Sequence, residues 1–124
     1  MTILLAGLHY LAESYYLYFT FWWFDIPMHF LGGLLIGLLA LWILFVCEKC
    51  GFSHVNSLLV FFVTLGVVLL VGSLWELFEV FTGITPITDI DLVDTLEDLL
   101  LDSLGAIVAF LYYHYRVHGK KSGQ

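Results

Sequence analysis

The residues able to do chemistry in this chain are acids and histidines set inside apolar surroundings. There are eleven carboxylates and five histidines against four basic residues, a formal charge of −7. Asp25 and His29 stand at i, i+4, and Glu76 and Glu79 at i, i+3, so each pair shares a helix face. Asp94, Asp98 and Asp102 form an i, i+4, i+8 line that descends about 12 Å at 1.5 Å per residue. Like charges at that spacing destabilise an isolated helix. Inside a membrane each ionisable group costs roughly 2.5–3.5 kcal/mol on an insertion scale. A cation, protons or a water-filled cavity must offset them. Carboxylate oxygens with an imidazole suit a hard or borderline divalent ion. The candidate metal ligands are Glu76, Glu79, Asp98, Asp102 and His29. Asp98, Glu76 and His29 are the candidate catalytic groups, and Asp25, Asp94 and Glu13 are further polar groups of the pocket.

Other roles compete for some of these residues. Asp25 before Ile26 and Pro27 has the form of an N-cap, and Asp94 with Glu97 has that of a capping box. Glu13 shares a helix face with His9; the pair serves either as a proton relay reaching the pocket or as a single hydrogen bond fixing helix register. Cys47, Cys50 and His54 fall short of the four ligands of a structural zinc and read as free thiols beside a histidine.

The elements that position these groups are membrane helices. Hydrophobic residues make up 61% of the 124, against roughly 45–50% in a soluble domain, and charged residues 12% against about 25%. A soluble globule this small has too little interior for that many apolar side chains. The acidic balance excludes nucleic acid as a partner. Four apolar segments, at about 3–24, 28–46, 56–81 and 94–116, are each long enough to cross about 30 Å of hydrocarbon. The expectation is an all-α integral membrane four-helix bundle, a single membrane domain over 1–124 with a short polar tail at 117–124. The first segment lacks a basic leader region and a cleavage site, so it reads as a retained helix.

Linkers at 25–27, 47–55 and 82–93 put both termini and the middle loop on one side. Lys49, Arg116, Lys120 and Lys121 all fall on that side, which makes it cytoplasmic. The pocket then faces the non-cytoplasmic side, and the expected location is the inner membrane of a prokaryote. Trp22, Trp23 and Phe24 and then Tyr112, Tyr113 and Tyr115 sit at span ends as interfacial anchors do. Gly33 with Gly37, and Gly105 with Ala109, are small-xxx-small steps that permit close helix approach, within the bundle or between copies in a homo-oligomer.

Three motifs occur in a recognisable order: DIPMHFLGG beginning at Asp25, WELFE beginning at Trp75, and DTLEDLLLDSLGA beginning at Asp94. The sequence resembles the YjdF-like family of small integral membrane proteins over roughly residues 22–112, and more distantly VanZ-like proteins. Where VanZ-like proteins usually carry asparagine and glutamine, this chain has Asp102 and Glu79, which favours the YjdF-like side. The resemblance implies a membrane protein with this polar site and names no reaction.

Three functional readings follow. The first is a metal-dependent site acting on a lipid-linked or amphiphilic substrate, such as a phosphate ester. The second is a non-catalytic module that binds or passes a cation, a proton or a head group. The third is purely structural. Membrane lipid is the expected surrounding in all three. The topology is directly testable: a C-terminal reporter should be active only in the cytoplasm, and activity confined to the other side would invert the bundle.

Overall fold

The computed structural model describes residues 2–49, 56–82 and 89–118, which are helical almost throughout. In chain order they form α1 (Thr2–Ser14), α2 (Leu17–Thr20), a 3-10 turn (Trp22–Phe24), α3 (Asp25–Lys49), α4 (Ser57–Thr82) and α5 (Asp89–His118). There is no strand among the described residues. The long helices are α1, α3, α4 and α5, so the fold is an all-α bundle of four.

The first expected span, 3–24, is not one helix. Tyr16 takes the left-handed conformation at φ 53, ψ 36 and stops α1. A non-glycine residue there costs on the order of 1–2 kcal/mol. The chain restarts at once, with Thr20 N–H and its hydroxyl both donating to the Tyr16 carbonyl at 3.0 Å. At 13 residues α1 is about 20 Å long, short of the hydrocarbon thickness.

Two further boundaries differ from expectation. Residues 25–27 are the first turn of α3 rather than a linker, and Asp25 has helical dihedrals (φ −66, ψ −40) rather than those of an N-cap. Pro27 fits this first turn because the backbone N–H it lacks would have no intrahelical acceptor. Likewise α5 reaches back to Asp89, so Asp94 and Glu97 lie inside a helix and form no capping box.

Segments Asp25–Leu44 and Ser57–Thr82 are long and apolar enough to cross a membrane, with mean hydropathies of 2.0 and 2.6. The surface is correspondingly apolar. On α5, Leu100 and Leu104 are 65% and 51% exposed, whereas Asp98 and Asp102 are each 6% exposed. Apolar side chains outside and acids inside is the polarity expected where the surrounding solvent is lipid.

The tightest contact runs between α3 and α5, backbone against backbone. A Cβ on Gly33 would collide with the Asp102 carbonyl, and one on Gly105 with the Leu34 nitrogen and the Phe30 carbonyl. Further along the seam, Gly37 meets Ala106 and Ala109. The small-residue steps are thus filled within one chain. Leu41, Val60 and Ala109 form the core beyond them, flanked by Leu38, Phe110 and Tyr113. α4 adds a stripe of buried residues four apart, Val60, Thr64, Val68 and Gly72. The Thr64 hydroxyl is satisfied by the Val60 carbonyl at 2.8 Å.

Overpacking typically costs about 1–3 kcal/mol, and here the obstructing atoms are backbone that cannot rotate away. Gly105→Ala should therefore lose about 3 kcal/mol of stability. Gly66→Ala, where an added Cβ meets nothing within 4 Å, should be neutral or slightly stabilising. Thermal unfolding in one detergent checks both, and equal melting of the two variants would contradict the seam.

Candidate metal centre

The close approach at Gly33 sets one turn of α3 against one turn of α5. Asp25 and His29 occupy the first turns of α3, and Asp98 and Asp102 face them from α5. His29 is the hub. Its Nε2 lies 3.5 Å from Asp25 Oδ1 and 3.7 Å from Asp98 Oδ2, and its Nδ1 lies 3.7 Å from Asp102 Oδ1. The side chains of His29, Asp98 and Asp102 keep 10%, 8% and 8% of their surface, while Asp25 keeps 34% and opens the group outward. One ligand atom from each of Asp25, His29 and Asp98 lies within 4.8 Å of the other two.

α4 closes the third side. Gly72 packs on Asp102, where a Cβ would stand 2.5 Å from Oδ2 and 3.0 Å from Leu99 Cδ2. Only a residue without a side chain leaves room for the carboxylate at this point. Sequence reading did not single out Gly72; its signal is its place in the four-residue stripe on α4.

The two glutamates of α4 are engaged elsewhere. Glu76 Oε2 accepts a 2.9 Å hydrogen bond from Thr95 Oγ1 of α5. Its Oε1 is buried with no hydrogen-bond partner among the described residues. Glu79 Oε1 accepts a 2.9 Å bond from Trp75 Nε1. The His9 ring of α1 meets Trp75 edge-on, with centroids 5.2 Å apart. Asp94 and Glu97 are exposed on α5. The side chains of Glu13 and Cys47, and residues Cys50 and His54, lie outside the described set.

Beside the His29 cluster lies a cavity of about 370 Å³. His9, Asp25, His29, Trp75, Glu79 and Asp102 supply its polar wall. Met28, Leu35, Ile36, Val68 and Val71 supply the apolar remainder. Sequence reading found the acids and His29, but not Trp75, whose role depends on a neighbour one turn away and on α1. No Lys or Arg lies among the lining residues.

What this arrangement can do follows from its distances and charge. Separations of 3.5–3.7 Å exceed the 2.7–3.2 Å of an N–H···O hydrogen bond, so they do not form a closed hydrogen-bonded network. The two on Nε2, to Asp25 and Asp98, lie near the roughly 3.4 Å separating two ligands that each stand about 2.1 Å from a shared tetrahedral ion. Three carboxylates around one imidazole also need protons or a cation to balance them.

The chain belongs to the family described as predicted membrane protein (DUF2238), whose model matches residues 1–120. The YjdF-like resemblance is consistent with that membership. No curated protein and no solved structure matches the chain.

The Glu76–Thr95 bond is the site's tie between α4 and α5, and its energetics can be isolated. Thr95→Val removes the donor and leaves a partly buried carboxylate unpaired, which should cost about 1–3 kcal/mol. Replacing both partners with apolar residues, Glu76→Leu with Thr95→Val, should recover most of that loss. Thermal unfolding of the single and double variants checks this; a double variant no more stable than Thr95→Val would show that the tie is not what Thr95 contributes.

Proposed function

We propose that this member of the family holds a divalent metal ion between α3 and α5 and uses it on a polar group of an amphiphile admitted from the lipid. The observation that carries the reading is the convergence of Asp25, His29 and Asp98 ligand atoms within 4.8 Å. Nε2 of His29 and one oxygen from each aspartate form the ligand set. Asp102 lies 3.7 Å from the opposite ring nitrogen, where its negative charge favours a proton on Nδ1 and so leaves Nε2 its lone pair. Such an ion would polarise an ester or amide oxygen and acidify a bound water. Asp25, the most exposed of the group, lies on the side from which water or substrate arrives.

The adjoining cavity supports an amphiphilic substrate, since its wall is polar at the cluster and apolar beyond it. In the orientation that Lys49 and Arg116 favour, the site opens toward the non-cytoplasmic face, as it would in a prokaryotic inner membrane.

Metal analysis of the detergent-purified protein tests the reading. After loading with Zn²⁺, Mn²⁺ or Co²⁺ and removal of excess, about one equivalent per chain should remain. His29→Gln and Asp98→Asn should each abolish retention in protein that stays helical. Asp102→Asn should weaken it about 10–100-fold, as loss of an outer carboxylate does. Glu97→Gln, on the exposed face, should retain metal fully. A wild-type protein that takes up none of the three ions would sink the proposal and leave the cluster as a proton- or head-group-binding device or a helix contact. Retention unaffected by His29→Gln and Asp98→Asn would place the ion elsewhere.

A further inference from the structure

The cavity beside the cluster has a size, a shape and a charge, and together they select an occupant. Its volume is about 370 Å³. That lies at the lower end of the roughly 300–1,000 Å³ of small-ligand sites, room for a small head group and part of one chain. The apolar wall, Met28, Leu35, Ile36, Val68 and Val71, has no partner for a polar tail. At the other end stand the carboxylates of Asp25, Asp102 and Glu79, with the Trp75 indole between Glu79 and His9.

Charge then decides the head group. Phosphate and sulfate heads are bound by Arg, Lys or clusters of backbone N–H groups. The lining residues include no Arg or Lys, and the one helix start among them, the first turn of α3, carries the Asp25 carboxylate. Three carboxylates and an indole are instead the surroundings that hold an ammonium, by charge and by attraction to the ring face. Trp75 keeps 37% of its surface, with His9 edge-on to its ring and Phe78 tilted against it at 5.6 Å. A metal ion on Asp25 and Asp98 takes neither Glu79 nor Trp75 as a ligand.

We propose that the cavity binds a single-chain amphiphile with an ammonium head group, its head at Glu79 and Trp75 and its chain along Ile36, Val68 and Val71. This assignment rests on the amphiphile part of the function proposed above and not on the metal. It narrows the substrate class away from the phosphate esters that the sequence alone left open.

The test uses the full chain in neutral polyoxyethylene micelles, with spin-labelled decyltrimethylammonium and spin-labelled decyl phosphate as probes at equal mole fraction. Electron paramagnetic resonance then separates immobilised probe from probe dissolved in the micelle. The ammonium probe should show a saturable immobilised component near one per chain, and the phosphate probe at least tenfold less. Glu79→Gln should reduce ammonium binding at least fivefold. Ile36→Phe, which fills the chain end and removes no charge, should abolish it. Glu97→Gln should match the wild type. Equal immobilisation of both probes would show a non-selective lipid groove and overturn the proposal. So would a helical wild-type protein that immobilises neither probe, or ammonium binding untouched by both Glu79→Gln and Ile36→Phe. Metal content is measured on the same samples. Ammonium binding without metal would remove the metal centre and keep the cavity, while metal without ammonium binding would do the reverse.

Discussion

The contact on which the rest depends is backbone on backbone: Gly33 of α3 against Asp102 of α5, and Gly105 of α5 against Phe30 and Leu34 of α3. Ordinary side chains would hold these helix axes some 8–10 Å apart. A closer approach holds the short aspartates directly against a histidine on the facing helix. The glycines remove the spacer, and Asp98 and Asp102 arrive within 3.7 Å of His29. A seam that in most membrane helices serves only association here sets the distances of a polar site. Gly72 does the same from α4, so Gly32 of α3 and Gly72 of α4 flank the Asp102 carboxylate.

This arrangement is sustained by its solvent. In water, a helix with Leu100 and Leu104 outward and two aspartates inward would turn over. In lipid the preference reverses, because leucine meets no penalty outside and an acid meets a large one. Burying the acids against α3 removes them from hydrocarbon but does not neutralise them. The bundle is therefore held by packing, through the small-residue seam and the core of Leu41, Val60 and Ala109, and it tolerates a polar group that contributes little to stability by itself.

Much of this was legible in the sequence, and the limits have physical causes. Helical periodicity is fixed, so the pairings of Asp25 with His29 and of Asp98 with Asp102 on common faces could be read directly. Antiparallel connection by short links then puts those faces at one end of the bundle. The glycine steps were visible too, although their partner helix was not. The break at Tyr16 was hidden because neither glycine nor proline marks it; an aromatic residue in the left-handed region has no sequence signal. The start of α5 was ambiguous because Asp89, Asp91, Asp94 and Glu97 are all acceptable near a helix N-terminus, where negative charge is favoured. The division between Glu76 and Glu79 could not be read at all, since it turns on Thr95 across a helix interface and on Trp75 one turn away.

The placement of the basic residues carries the argument one step further. Arg116 lies about 21 Å beyond Asp102 along α5, where its Nε donates to the Tyr112 hydroxyl at 3.3 Å and its guanidinium lies 5.7 Å from that ring. Lys49 ends α3, at the far end from Asp25. Arg116 does not reach the cluster. A bundle selected only for stability would place a lysine or arginine among these acids, or would replace the acids with leucine, and either change is sterically simple for a membrane helix. Among the described residues the chain does neither: acids gather at one end of α3 and α5, no Lys or Arg lines their cavity, and Arg116 lies toward the other end of α5. Positive charge at the site must then come from outside the chain, as an ion, protons or a cationic head group. That requirement explains why the acids adjoin a cavity instead of packing into solid core.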